Sequence, residues 1–202
     1  IVVFPGGVGT AEEILYLLGV LLHPDNRSMP FPLIMTGPRS AAPYFRKIDE
    51  FVGATLGPEA QARYKIIIDQ PREVARAVRR GLGEVLAFRN EHGDAYYFNW
   101  RLKITDKFQR PFVASHESMR QLTIDEDLER HELAANLRRA FSGIVSGNVR
   151  EDTAELIERD GPFEIRGSRR IMGLLDELLA GFVAQRRMKI SSDHYDPCYM
   201  IK

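Results

Sequence analysis

The chain holds a single cysteine, Cys198, which excludes an internal disulfide framework and suits a reducing, cytoplasmic compartment. It lacks an excess of either charge: Lys plus Arg and Asp plus Glu number 28 each, so no bulk field favours a nucleic-acid polymer or an anionic membrane. No apolar run reaches the about 20 residues that a membrane-spanning helix needs, because charges and prolines interrupt every candidate. The first forty positions contain no lysine, which removes the P-loop and its Gly-Lys-Ser/Thr ending. Internal repeats and low-complexity runs are also missing. The 202 residues suffice for one large domain or two small ones with a real core.

What is present begins at once, with Ile1-Val-Val-Phe-Pro-Gly-Gly-Val-Gly-Thr-Ala-Glu-Glu13. It reads as a buried strand (Ile1 to Phe4), a glycine turn (Pro5 to Gly9) and a helix opening at Thr10. Gly6, Gly7 and Gly9 let the backbone turn sharply and a ligand approach its N–H groups. The helix start adds unpaired donors and a positive dipole end, a natural seat for phosphate. A dinucleotide fingerprint starting at Gly7 would need a third glycine where Glu12 stands, so NAD-type binding is excluded as well. A strand of this kind needs neighbours on both sides, which leads us to expect a missing upstream portion.

Ile14, Leu17, Leu18, Leu21 and Leu22 form one helical stripe that stops at His23-Pro24. Further strands are expected at Phe31–Met35 and Tyr64–Ile68, with helices over Ala42–Leu56 and from Pro71 onward. This alternation predicts an α/β fold with a Rossmann-like parallel sheet. The pattern changes near Gly93, giving an expected division into 1–92, part of a catalytic domain, and 93–202, a mostly helical extension. In the extension, Tyr96–Ile104 alternates like a half-exposed strand, and helices are expected over Asp125–Val145, at Asn148 or Asp152, and over Arg169–Met188. Ser168 would cap the last of these, and the tail from Ser191 reads as irregular.

Pro5-Gly-Gly-Val-Gly-Thr-Ala-Glu-Glu13 resembles the PGGxGTxxE signature of the LONELY GUY phosphoribohydrolases, a family long labelled lysine decarboxylases. The likeness runs through the first half of the chain. The second half resembles the extension of the nucleotide 5′-monophosphate nucleosidases within that family, in Gly93-Asp-Ala-Tyr-Tyr-Phe-Asn-Trp100, Arg138-Arg-Ala-Phe-Ser-Gly-Ile-Val145 and Gly181-Phe-Val-Ala-Gln185. The resemblance implies hydrolysis of the N-glycosidic bond of purine and pyrimidine nucleoside 5′-monophosphates, giving free base and ribose 5-phosphate without metal or organic cofactor. Gly6, Gly7, Gly9 and Thr10 would hold the 5′-phosphate, and Glu13 would be the catalytic carboxylate. The family's upstream arginine has no counterpart in this chain. Homotetramer formation and control by guanosine tetra- and pentaphosphate alarmones are implied too, with Arg138-Arg139, Arg169-Arg170 and Arg186-Arg187 as candidate cations.

The chemistry suits the residues. Departure of the base builds oxocarbenium character on the ribose, which a carboxylate against the sugar stabilises. At about 100° per residue, Glu12 should point to solvent, opposite the apolar stripe, while Glu13 flanks it at a cleft wall. Glu12 and Gly37, the latter near the end of the second strand, are expected to border the pocket. Thr10 and Glu13 also fit a capping box, in which Glu13 would serve the helix end alone. His23, His92, His116, His131 and His194 show no metal spacing, and Cys198 has no evident base nearby. Two other readings compete with the enzyme: a non-catalytic nucleotide-binding or carrier protein, and an oligomerisation or regulatory module.

Overall fold

The computed structural model describes residues 1–94, 101–190 and 195–202. Strand β1 (Val2–Val3), helix α1 (Val8–Leu21), strand β2 (Ile34–Gly37), helices α2 (Ala42–Leu56) and α3 (Pro58–Gln61), strand β3 (Lys65–Ile68) and helix α4 (Pro71–Glu91) follow one another. The strands pair in parallel in the order β1-β2-β3, with Val2 opposite Ile34 and Ile34 opposite Lys65. Parallel neighbours need long crossovers, and the helices supply them. This is the expected Rossmann-like α/β arrangement.

Several boundaries differ from the expectation. Helix α1 opens at Val8, with Gly7 as its N-cap, so Thr10 lies inside the helix and the Thr10–Glu13 capping box does not form. Strand β2 begins three residues late, since Pro30 and Pro32 remove ladder donors ahead of it. β1 covers two residues, Val2–Val3, rather than the four from Ile1 to Phe4, and pairs with β2. In α4 the buried positions are Ala77 and Gly81, where the helix closes on Pro32, while Leu82 and Leu86 of its apolar stripe stay exposed.

The second half contains short helices α5 (Asp106–Gln109) and α6 (His116–Arg120), strand β4 (Thr123–Ile124), helices α7 (Arg130–Val149) and α8 (Glu151–Asp160), strand β5 (Phe163–Gly167), helix α9 (Arg169–Ala184) and strand β6 (Tyr199–Ile201). The extension therefore adds a parallel sheet of its own, ordered β4-β5-β6, to its helices. The tail expected to be irregular ends as its outer strand. The alternating stretch at 96–104 falls partly outside the described residues; over 101–104 no strand forms, and the Asn26 side chain bonds both main-chain groups of Lys103. Helix α7 starts five residues later than expected and runs four further. Helix α9 stops four residues short; Ser168 stands at its N-cap as expected, but its hydroxyl bonds Glu126 rather than the helix end.

One apolar core joins the two halves. Ile14 and Leu18 of α1, Phe45 and Val52 of α2, Leu137 and Phe141 of α7, and Leu175 and Phe182 of α9 all belong to it. Helix α7 packs along α1 and α9 along α2, so the extension covers the outer faces of the first two helices. No helix among the described residues is long and apolar enough to cross a membrane.

Candidate active site

The glycine turn links the end of β1 to the first turn of α1, and the rest of the protein holds it closely. A side chain on Gly6 would strike the Thr10 hydroxyl, 2.1 Å from the Cβ position, and one on Gly7 would strike the Arg187 carbonyl at 2.6 Å. Gly9 differs, because nothing lies within 4 Å of where its Cβ would stand. Gly37, at the end of β2, packs beneath the turn against Pro5 and Ala41.

Two side chains that sequence reasoning did not assign to the turn tie back its carbonyls. The Tyr44 hydroxyl, from the first turn of α2, donates to the Gly7 oxygen at 3.1 Å. Burial pushes the Tyr44 phenol up to about 12, so the hydroxyl keeps its proton and remains a donor. Arg187, just past α9, donates to the Gly6 oxygen at 2.7 Å, and its guanidinium lies 4.7 Å from the Tyr44 ring centroid. Nothing local marks Tyr44. The Arg186-Arg187 pair was visible, but its target lies 181 positions away.

The two glutamates part company. Glu13 is exposed and lines an open cleft of about 410 Å³ with Val3, Phe4, Thr10, Ile14 and Leu17. Glu12 does not face solvent as expected. Helix α7 packs over that side of α1, and Glu12 forms an ion pair with Arg138 at 3.5 Å, with side-chain exposures of 26% and 14%. Burial raises the Glu12 carboxyl above its ordinary value, an effect that Arg138 and the Ser142 hydroxyl partly offset. The Arg138 guanidinium also sits 5.3 Å from the Tyr16 ring centroid.

The remaining arginine candidates are dispersed. Arg170 bonds Glu126 and the Ala54 carbonyl, whereas Arg139 is partly buried, which lowers its affinity for a proton. Burial pushes the Cys198 thiol up to about 11, and its sulfur bonds the Ile144 carbonyl, the setting of an unreactive thiol. His23 meets His131 edge-on, and His116 bonds the Gly161 carbonyl; His194 lies outside the described residues. Among the described residues, no group of three or more His, Cys, Asp and Glu could hold a metal.

The fold defines the class first: a parallel, Rossmann-like α/β unit with a glycine turn at a strand end, closed by an α/β extension. Comparison with known proteins then resolves it. A family model described as possible lysine decarboxylase matches residues 1–78, and one described as pyrimidine/purine nucleotide monophosphate nucleosidase, C-terminal, matches residues 82–202. Proteins named pyrimidine/purine nucleotide 5′-monophosphate nucleosidase from Escherichia coli strains K12 and O157:H7 are each 52% identical over 201 residues, which is 100% of this chain and 44% of theirs. The chain belongs to the family of that nucleosidase C-terminal model, which covers more than half of it, and it spans less than half the length of the curated relatives it matches.

Proposed function

We propose that this chain supplies the phosphate turn and the catalytic carboxylate of a nucleoside 5′-monophosphate N-glycosidase, which releases free purine or pyrimidine base and ribose 5-phosphate. One observation carries the reading: Glu13 stands exposed in a cleft one helical turn beyond a glycine turn whose carbonyls are tied away toward Tyr44 and Arg187. The amides of Gly7 to Thr10 and the Thr10 hydroxyl take the 5′-phosphate at the positive end of α1. Anchoring the phosphate lays the ribose along the helix, so the Glu13 carboxylate faces the anomeric carbon. As the C–N bond breaks, the carboxylate stabilises the growing positive charge and orients the attacking water. Gly37 shapes the floor through Pro5, and Glu12 is committed to its pair with Arg138.

Further parts of this reading concern the whole protein. Residues 1–92 carry the catalytic elements, and 93–202 serve regulation or assembly; a homo-oligomer under alarmone control in the cytoplasm extends the family resemblance of the extension to the whole protein. The experiment is incubation of the full-length protein with AMP, GMP, CMP and UMP, followed by chromatography for free base. Release by the unaltered protein and loss in Glu13→Ala is the expected result. Equal release by both sinks the assignment of Glu13, and nucleotide binding without release leaves the carrier reading instead.

A further inference from the structure

The turn is gripped from behind by a residue of the extension, through both its main chain and its side chain. All peptide bonds among the described residues are trans, so each carbonyl points away from the N–H of the following residue. With the Gly6 and Gly7 carbonyls drawn toward Arg187 and Tyr44, the N–H groups of Gly7 and Val8 must face the other way. These are among the first donors of α1, which no helical carbonyl can satisfy. A cationic donor on the Gly6 carbonyl also polarises the peptide that carries the Gly7 N–H.

The chain builds a particular device to place Arg187. Helix α9 ends at Ala184, and Arg186 follows in the left-handed region at φ +56, a conformation that L side chains seldom adopt. The amides of Arg186 and Arg187 then bond back to the Val183 and Phe182 carbonyls, both at 2.8 Å, which is a Schellman-type ending. The ending brings the Arg187 carbonyl against Gly7, so close that only glycine fits there. Phe182 and Tyr44, with ring centroids 5.4 Å apart, fill the space beneath.

We infer that Arg187 is a positioning residue of the phosphate turn, aiming the Gly7 and Val8 N–H groups at the 5′-phosphate and thereby tying substrate affinity to the placement of the C-terminal extension. The inference rests on the reading of the turn as the phosphate site. Arg187 contacts no reacting atom; it acts on affinity more than on the chemical step.

The test compares full-length Arg187→Ala and Arg187→Lys with the unaltered protein, by steady-state kinetics on AMP and by calorimetric titration with ribose 5-phosphate. Arg187→Ala should raise KM for AMP and weaken ribose 5-phosphate binding by about ten- to a hundredfold, with kcat within about threefold. Arg187→Lys should recover part of the loss, since it keeps the charge but not the guanidinium that lies over the Tyr44 ring. Unchanged KM and unchanged ribose 5-phosphate affinity in Arg187→Ala would overturn the inference. So would a fall in kcat and melting temperature with KM unmoved, the mark of a purely structural contact. If the unaltered protein neither binds ribose 5-phosphate nor releases base, the phosphate reading fails with it; that failure appears without any variant, whereas failure of the Arg187 inference appears only in the variants.

Discussion

Helix α1 and its glycine turn have a closed side and an open side, and the two differ more in chemistry than their letters suggest. On the closed side, Gly6, Gly7 and Glu12 meet Thr10, the Arg187 carbonyl and Arg138. On the open side, Gly9 has free space beyond its Cα, and Glu13 lines the cleft beside β1. A glutamate half-buried beneath a helix with a guanidinium packed on it is committed to that contact, even where the pairing offsets its burial only in part. A glutamate facing a cleft is open to whatever enters. Adjacent residues of one type thus acquire separate roles from the elements that cover them, here α7 and the end of α9.

The largest effect expected of this asymmetry is on catalysis. Glu13→Gln keeps the shape and removes the charge, and should lower kcat/KM for AMP by about a hundredfold or more. Glu12→Gln should leave it within about threefold, since Glu12 does not reach the cleft. A larger loss in Glu12→Gln than in Glu13→Gln would invert the comparison. Next comes Gly7→Ala, whose methyl must displace main chain at Arg187; we expect a loss of about 1–3 kcal/mol in chemical denaturation together with weaker ribose 5-phosphate binding. A fully stable Gly7→Ala would mean that the closed side is not tightly packed.

Much of the open side was legible, because local pattern encodes it. Four apolar residues, a glycine turn and a period of 3.6 place Glu13 beside the stripe without reference to anything distant. Helix α2 was likewise legible at both ends, with Pro43 at its start and Gly57, at φ +82, just beyond it. The closed side was not, since its partners stand far along the chain: Arg138 and Ser142 are more than a hundred positions from Glu12. The direction of Glu12 away from the stripe was sound, but the assumption that solvent lay there failed when α7 occupied that face. The helix start was misjudged because Gly7 caps through its backbone conformation, with no side chain to announce it. Strands β4 and β6, two and three residues long, are too short for alternation to emerge from surrounding loop sequence. In β5, Phe163 and Ile165 do alternate with Glu164 and Arg166, but over only five residues before the next helix.

A smaller effect, of pH on stability, is expected at Glu12. The Glu12 carboxyl is raised in the folded protein, so the native state holds its proton more tightly than the unfolded chain does. The stability this contributes is present in full below the ordinary value of 4.5 and is lost as pH rises through the folded value. Glu12→Gln cannot titrate there. Its unfolding free energy relative to the unaltered protein should therefore improve as pH climbs from below 4.5 toward neutrality, as urea titrations at several pH values would show. A difference that stays flat or shrinks over that range would mean that Arg138 fully compensates the burial.

The smallest change in stability should come from Gly9→Ala, and it probes the open side most directly. Gly9 is the second residue of α1, is exposed, and has nothing within 4 Å of its Cβ position, so folding gives no reason for a glycine there. Alanine is the better helix former by up to about 1 kcal/mol in a helix interior, and less in a first turn, so the variant should be as stable as the unaltered protein or slightly more so. If the empty space is where the phosphate approaches the backbone, the added methyl stands in its way, and ribose 5-phosphate binding should weaken by about tenfold while the melting temperature holds. Stability and binding would then move independently at one position. Unchanged binding in Gly9→Ala would place the phosphate elsewhere on the turn, nearer the Gly7 and Val8 amides that Arg187 and Tyr44 orient.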